Sequence, residues 1–364
     1  MKEPNMQYRE PSSLPIVDSH LDLAEDVTLF GYDMTSSIAD RRGRERRTTS
    51  QATVSLPELQ RGGIAVAFAT VTAGFTPDDV KGNASLAHTV YRTPEEAEAQ
   101  ALSQIALYER WEKEGRVRIV KSVNDLRDHL QLWQKDRKPG LVMLMEGADP
   151  IVRVRDLPSW WQRGLRMIGL TYGDTRYGTG VGSGSTTFRH GGLTPEGIEL
   201  LQAMAEQGLI WDISHLAEEG VWQGLDLGFP RVCASHATAR RLIPTDRHLT
   251  DEVIRAAAER EGVIGVVLYN AFLEPGWKRD RHLPVTVEQQ VRQHLAYIAG
   301  VAGWNHVGIG SDLDGGFGLE ESPAEIDTVA DLYKIGAVVP PEARVQVLGT
   351  NWLNFLSRSL PANS

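Results

Sequence analysis

The sequence predicts an α/β protein, a (β/α)8 barrel of the TIM type, distorted and with a long insertion after its first strand. Nine short apolar runs alternate with helical patterns along the 364 residues, the order expected of a parallel sheet assembled from βα units. Metal-ligating residue types recur at the C-terminal ends of these runs, where a barrel gathers its active site. A doubly wound open sheet is the alternative arrangement of the same elements.

Ile16-Val17-Asp18-Ser19-His20-Leu21-Asp22-Leu23 is the first run. Residues two apart on a strand face the same way, so His20 and Asp22 should project together, with Asp18 on their face. Residues 24–60 are polar and Arg-rich, a long excursion ending near Pro57. Gly63-Ile64-Ala65-Val66-Ala67-Phe68-Ala69-Thr70-Val71 is apolar on both faces, as parallel strands covered on both sides are. A helix should open at Thr93 as N-cap with Pro94 at its first position, and stop near Gly115. Val117-Arg118-Ile119-Val120 is the shortest run and carries charge. Eight strands close a barrel, so this is the one placed outside it. A helix with Leu126 and Leu130 follows. Leu141-Val142-Met143-Leu144-Met145 ends in Glu146-Gly147, and Arg166-Met167-Ile168-Gly169-Leu170-Thr171-Tyr172 is next. A helix opens at Thr194-Pro195-Glu196. Leu209 to His215, Arg231 to His236, Val263 to Tyr269 and His306 to Asp312 complete the series. No internal repeat or low-complexity linker divides the chain. Residues 1–364 read as a single barrel domain with an N-terminal extension and a C-terminal helical segment.

A hydrophobic content of 41% and a charged content of 24% belong to a globular chain with ample core. The net charge of −10 argues against a nucleic-acid partner. The basic run Arg41, Arg42, Arg44, Arg46, Arg47 has no interleaved aromatics and reads as a solvated loop. The single cysteine, Cys233, reads as a buried reduced thiol. Residues 1–14 lack a signal-peptide core and no apolar run is long enough to span a bilayer, so the expectation is a cytoplasmic protein without membrane partners. Gly178-Thr179-Gly180-Val181-Gly182-Ser183-Gly184 lacks the ending of a phosphate loop and reads as a lid or plain loop.

Polar residues on otherwise apolar strands carry the chemistry. Singly, His215 and His236 could be core histidines bonded to carbonyls, and Glu146 and Asp312 could cap helices. Together, His20, Asp22, Glu146, His215, His236 and Asp312 all fall at strand ends. Three imidazoles and three carboxylates can hold two divalent ions with one carboxylate as bridge, and such a pair favours hydrolysis.

From about Ile16 to about Phe355 the chain resembles the membrane (renal) dipeptidase family of zinc metallopeptidases, within the amidohydrolase-like barrels. The motifs that carry the resemblance are Asp18-Ser19-His20-Leu21-Asp22-Leu23, Glu146-Gly147, Asp212-Ile213-Ser214-His215, Ala234-Ser235-His236, Gly310-Ser311-Asp312-Leu313-Asp314-Gly315 and Gly349-Thr350-Asn351-Trp352. The resemblance implies two zinc ions per chain. His20, Asp22 and Glu146 would hold one, and Glu146, His215 and His236 the other, with Glu146 bridging. It implies a proton-transfer role for Asp312 and a carboxylate-binding role for Arg247. Tyr269 reads as a pocket wall and Asn351 as an N-cap. Where the family has Leu-Thr-His, with its histidine at the scissile carbonyl, this chain has Leu170-Thr171-Tyr172. A tyrosine donates one hydrogen bond but stays neutral near pH 7, which predicts slow turnover of ordinary dipeptides.

The expected function is binuclear zinc-dependent hydrolysis of dipeptides or related small amides, with a dipeptide-like small molecule as partner. Two alternatives stand beside it: a barrel amidohydrolase for another small ester, lactone or amide, and a metal-binding relative that has lost dipeptidase activity. Substrate side chains and oligomeric state are open.

Overall fold

The computed structural model describes residues 14–45, 50–77, 84–182, 188–281 and 283–363. Nine parallel strands form its sheet: β1 Ile16–Leu21, β2 Ile64–Thr72, β3 Arg118–Ile119, β4 Gly140–Glu146, β5 Leu165–Gly169, β6 Ile210–Asp212, β7 Val232–Ala237, β8 Ile264–Val266 and β9 Val307–Ile309. Eight of them close a barrel in the order β2-β1-β9-β8-β7-β6-β5-β4, with β4 pairing back onto β2. β3 pairs only with β4, outside the ring, as its shortness and charge predict.

The register brings the strand ends to one level. Thr72 on β2 is opposite Glu146, Glu146 is opposite Gly169, and Gly169 is opposite Asp212. Every residue of β1, β2 and β4 is buried. Alternate β2 residues divide between two apolar clusters: Ala67, Ala69 and Val71 pack in one, Val66 and Phe68 in the other. That two-period division is the pleat of a sheet covered on both faces. The second cluster includes Trp352 and Phe355 of the C-terminal helix Asn351–Ser359. Trp352 meets Phe68 edge-on at 5.0 Å, and its indole donates to the Ile309 carbonyl at 3.2 Å. A Cβ on Gly308 would come within 2.2 Å of that indole nitrogen, so only glycine fits beneath it.

Helix starts follow their local chemistry. The Thr93 hydroxyl accepts from Glu96 N at 3.3 Å to open Pro94–Lys113, and the Thr194 hydroxyl accepts from Gly197 N at 3.0 Å to open Pro195–Gln207. Asn351 differs from its expected capping role. Its side chain donates to the carbonyls of Trp304 and Val307, each at 2.7 Å, and so pins the helix to the start of β9.

The insertion after β1 contains helices Leu23–Thr28, Ile38–Arg44 and Leu56–Gly62. Here the solvated-loop reading of the basic run is wrong. Arg41 is 1% exposed, lies on the second of these helices, and pairs with Asp26, Glu45 and Asp314. Five guanidinium donors met by carboxylates and the Val54 carbonyl make burial of the charge tolerable. Arg46 and Arg47 lie outside the described residues. Cys233 is buried on β7. In the glycine-rich segment, of which Ser183 and Gly184 lie outside the described residues, isolated antiparallel bridges join Gly178 to Leu193 and Gly180 to Leu216. No helix among the described residues is long and apolar enough to cross a membrane.

Candidate metal centre and cavity

The barrel's C-terminal face opens into a cavity of about 930 Å³ lined by Asp22, Glu146, Tyr172, His215, His236, Arg247 and Asp312 together with residues of the insertion. Of the positions expected to form the site, His20 and Tyr269 are not in this lining: His20 lies buried beneath it, and Tyr269 stands apart. It stacks on Phe317 at 4.8 Å and meets Phe272 edge-on at 5.0 Å, and those two rings are the wall.

The imidazoles converge on one carboxylate oxygen. Glu146 Oε1 lies 3.5 Å from His20 Nε2, 3.4 Å from His215 Nε2 and 3.5 Å from His236 Nε2. His20 Nε2 is also 3.7 Å from Asp22 and 3.9 Å from Asp312. Two overlapping groups could each hold an ion: His20 with Glu146 and His236, and His20 with Asp22 and Asp312, the ligand atoms within 4.8 Å of one another in each.

Each ring is oriented from its far side. His215 Nδ1 faces the Val181 carbonyl at 2.8 Å, so it carries the proton and leaves Nε2 as a lone pair. That Nε2 is 2.8 Å from His236 Nε2. Ser235 Oγ touches both remaining rings, 2.8 Å from His236 Nδ1 and 3.1 Å from His20 Nδ1. Asp212 in turn accepts from the hydroxyl and amide of Ser235 and from Ser214 N. Partners of this kind fix ring orientation around a metal. The donor set also suits a metal ion. His20 Nε2 is buried with no hydrogen-bond partner among the described residues, and nitrogen and carboxylate donors without thiolate suit zinc or a similar divalent ion.

Among the side chains themselves the charges are strongly coupled. Burial opposes protonation of His20, but Glu146, Asp22 and Asp312 outweigh it and raise its pKa to about 10. Burial and the Arg247 charge lower His215 to about 3. Burial pushes Asp312 well above the usual carboxylate range; His20 opposes this, while Asp22 and Glu146 add to it. Burial, then Glu146, moves the Tyr172 phenol well upward. The phenol therefore remains a hydrogen-bond donor at neutral pH.

Asp312 sits just past β9 at φ 60°, a left-handed conformation that aspartate adopts more readily than most side chains. The neighbouring turn holds it there. Asp18 Oδ1 accepts from Ser311 N at 2.7 Å, and Asp314 Oδ1 accepts from Thr53 N and Thr53 Oγ1, each at 2.8 Å. A Cβ on Gly315 would come within 2.0 Å of Asp312 Oδ1. Asp18 shares the face of His20, but its role is this anchor. Arg247, 3% exposed, donates through Nη2 to His215 Nε2 at 2.9 Å and to the His236 carbonyl at 3.1 Å. Its Nε and Nη1 are buried without a partner among the described residues.

Sequence reasoning quoted Asp212 and Ser235 inside motifs without giving them roles. A buried carboxylate two residues before a Ser-His pair was the available signal. The insertion's contribution to the cavity, Glu25 and Arg41 included, had no motif to announce it.

The family model described as membrane dipeptidase (peptidase family M19) matches residues 11–353. An uncharacterised protein of Klebsiella pneumoniae is 32% identical over 251 residues, covering 66% of this chain and 89% of that protein. An uncharacterised dipeptidase of Schizosaccharomyces pombe is 28% identical over 221 residues, covering 58% of this chain and 51% of that one. In fold, the chain is similar to a metallopeptidase of Rhodobacter sphaeroides solved with a phosphinate mimic of the dipeptide L-Ala-D-Ala. The TM-score is 0.78 at 23% identity, over 95% of this chain and 99% of that one.

Proposed function

The chain belongs to the membrane dipeptidase family, peptidase family M19, and is a metal-dependent, dipeptidase-like hydrolase; on that premise we propose that it is a binuclear zinc enzyme cleaving dipeptides or closely related small amides. The observation that carries the reading is the meeting of three imidazole nitrogens on Glu146 Oε1 within 3.5 Å. His20, Asp22 and Glu146 would hold one ion, and Glu146, His215 and His236 the second, with Glu146 shared. A divalent ion bound there supplies a Lewis acid for the scissile carbonyl and lowers the pKa of water.

The chain's own groups do the rest. Arg247 presents Nε and Nη1, buried and unpartnered, to the substrate's terminal carboxylate, a charge-assisted contact that also fixes the amide's register. Asp312 accepts the proton lost by the attacking water and delivers it to the leaving nitrogen, the two halves of general acid–base catalysis. The Tyr172 hydroxyl donates to the carbonyl oxygen as negative charge develops on it. The dipeptide mimic bound by the Rhodobacter relative supports including dipeptides with a D-residue at the carboxyl side. Tyr172, where the family has histidine, favours a second reading, hydrolysis of another small ester, lactone or amide.

The test is elemental analysis of protein purified without chelator under zinc-replete conditions, with turnover measured on a mixed dipeptide library. About two ions per chain are expected, fewer in His215→Ala, with zinc-dependent turnover in the parent. Protein that binds no metal under these conditions removes the binuclear reading. Two bound ions without dipeptide turnover leave the ester, lactone or amide reading and the metal-binding relative without dipeptidase activity, and turnover of small esters, lactones and amides separates these two.

A further inference from the structure

Two side chains without a protein partner among the described residues, Arg247 and Glu25, line the cavity from different arcs of the ring. Arg247 holds Nε and Nη1 without a partner among the described residues, at 3% exposure. It follows β7 and bonds His215, which follows β6. Glu25 is on the helix Leu23–Thr28 that follows β1. Within the closed ring β6 is directly opposite β1, three strands intervening by either route.

Glu25 differs from the other carboxylates around it. Asp26, Glu45 and Asp314 are paired with Arg41. Asp33 accepts from the hydroxyls of Thr35 and Ser36, and Asp40 from that of Ser37. Among the described residues lining the cavity, Glu25 is the one carboxylate outside the metal cluster that receives no hydrogen bond or ion pair. Burial, then Asp22 and Glu146, hold the Glu25 carboxyl well above the usual carboxylate range, so a positive charge brought by the ligand would favour its ionised form and be bound by it. A cavity of about 930 Å³ leaves room for an amino-side residue with a long side chain.

We propose that Glu25 is a specificity-determining residue that receives a positive charge carried by the amino-side residue of the substrate, so that the site selects zwitterionic or cationic dipeptides over those with an acidic or acylated amino end. This rests on the dipeptidase reading above. Two sources offer the same chemistry, the α-ammonium and a side-chain ammonium.

The experiment compares zinc-loaded parent, Glu25→Gln and Glu25→Asp, each with its zinc content measured. The substrates are alanyl-alanine, N-acetyl-alanyl-alanine, lysyl-alanine and glutamyl-alanine. In the parent, kcat/KM should favour lysyl- over glutamyl-alanine, or free over acetylated alanyl-alanine, by about tenfold, the order of one charge-assisted contact. Glu25→Gln should erase that preference mainly through KM, and Glu25→Asp should keep its order. A change confined to lysyl-alanine assigns the side-chain ammonium; a change in every free-amine substrate but not the acetylated one assigns the α-ammonium. If neither ratio moves in Glu25→Gln, the proposal is overturned. Should the parent hydrolyse none of these, the dipeptidase reading fails separately, and the same comparison is made by ligand-induced shifts in Tm. A charge preference present in the parent and lost in Glu25→Gln still supports the role of Glu25. Equal or absent shifts in both overturn it.

Discussion

Tyr172 carries the sharpest single-residue expectation. Its ring lies 4.8 Å from that of His215, and its phenol is kept protonated by burial and by Glu146. It can offer one neutral hydrogen bond to a developing oxyanion but cannot become a cation. Losing one such donor costs roughly 10²–10³ in rate. Tyr172→Phe should therefore lower kcat/KM on the best substrate by about that factor with zinc content unchanged. Tyr172→His should raise turnover of ordinary dipeptides about tenfold or more, if the rest of the pocket matches that of the family. Steady-state kinetics of all three proteins on one dipeptide panel decide the matter. A parent already working near roughly 10⁵–10⁶ M⁻¹s⁻¹, and made worse by histidine, would mean that the phenol is an adapted part of the site.

Single elements show how far a sequence can be read. The strands were legible because both faces of a parallel sheet are covered, leaving unbroken apolar runs such as 64–69. The helix starts at Thr93 and Thr194 were legible because capping is local. Arg41 was not. Its partners Asp26, Glu45 and Asp314 are brought together by folding, and nothing in a run of arginines tells a buried member from its solvated neighbours. Asn351 was misjudged for a similar reason, since its amide serves carbonyls more than forty residues away. The helix Arg292–Ala302 carries a testable consequence of such burial. His294, 1% exposed, faces the Leu273 carbonyl at 3.2 Å, and burial lowers its pKa from 6.5 to about 4 despite that bond. In the unfolded chain it titrates near 6.5, so as pH falls the unfolded state takes up the proton first. The stability it contributes is complete above about pH 6.5 and is lost as pH falls toward 4, by about 3 kcal/mol at most. His294→Gln, which can keep the hydrogen bond without titrating, should flatten the loss by about that amount in urea unfolding between pH 7 and 4. Parallel profiles for the two proteins would show that this ring does not govern the acid limb.

At the scale of the molecule, the expected ligands come from the ends of β1, β4, β6 and β7, half of the closed ring. The two apolar clusters that build the barrel include none of them, so the fold should persist without metal while gaining from it. An ion that binds only the folded chain stabilises it by mass action, about 4 kcal/mol at a thousand times its Kd. Chelator treatment should then lower Tm by something on the order of 5 °C and leave far-UV circular dichroism at 25 °C unchanged. An unchanged Tm would argue against tight binding, and a collapsed spectrum against an independent core. The ligand residues themselves were legible as polar interruptions at strand ends. Their supports, Asp212, Ser235 and the Val181 carbonyl, were not, because what they orient is visible only when β6, β7 and the glycine-rich loop are side by side.

The ring closes where β1 meets β9, Asp18 opposite Ile309, and Asp18 then holds Ser311 across 293 residues of sequence. On a ribosome, these partners are among the first and among the last parts of the barrel to be made. A nascent chain can have His20, Glu146, His215 and His236 outside the exit tunnel while Asp312 is still untranslated. On the proposed roles, metal capture could begin during synthesis, whereas proton transfer by Asp312 could not. On those roles, catalytic competence would arrive only after the closing strand has been released.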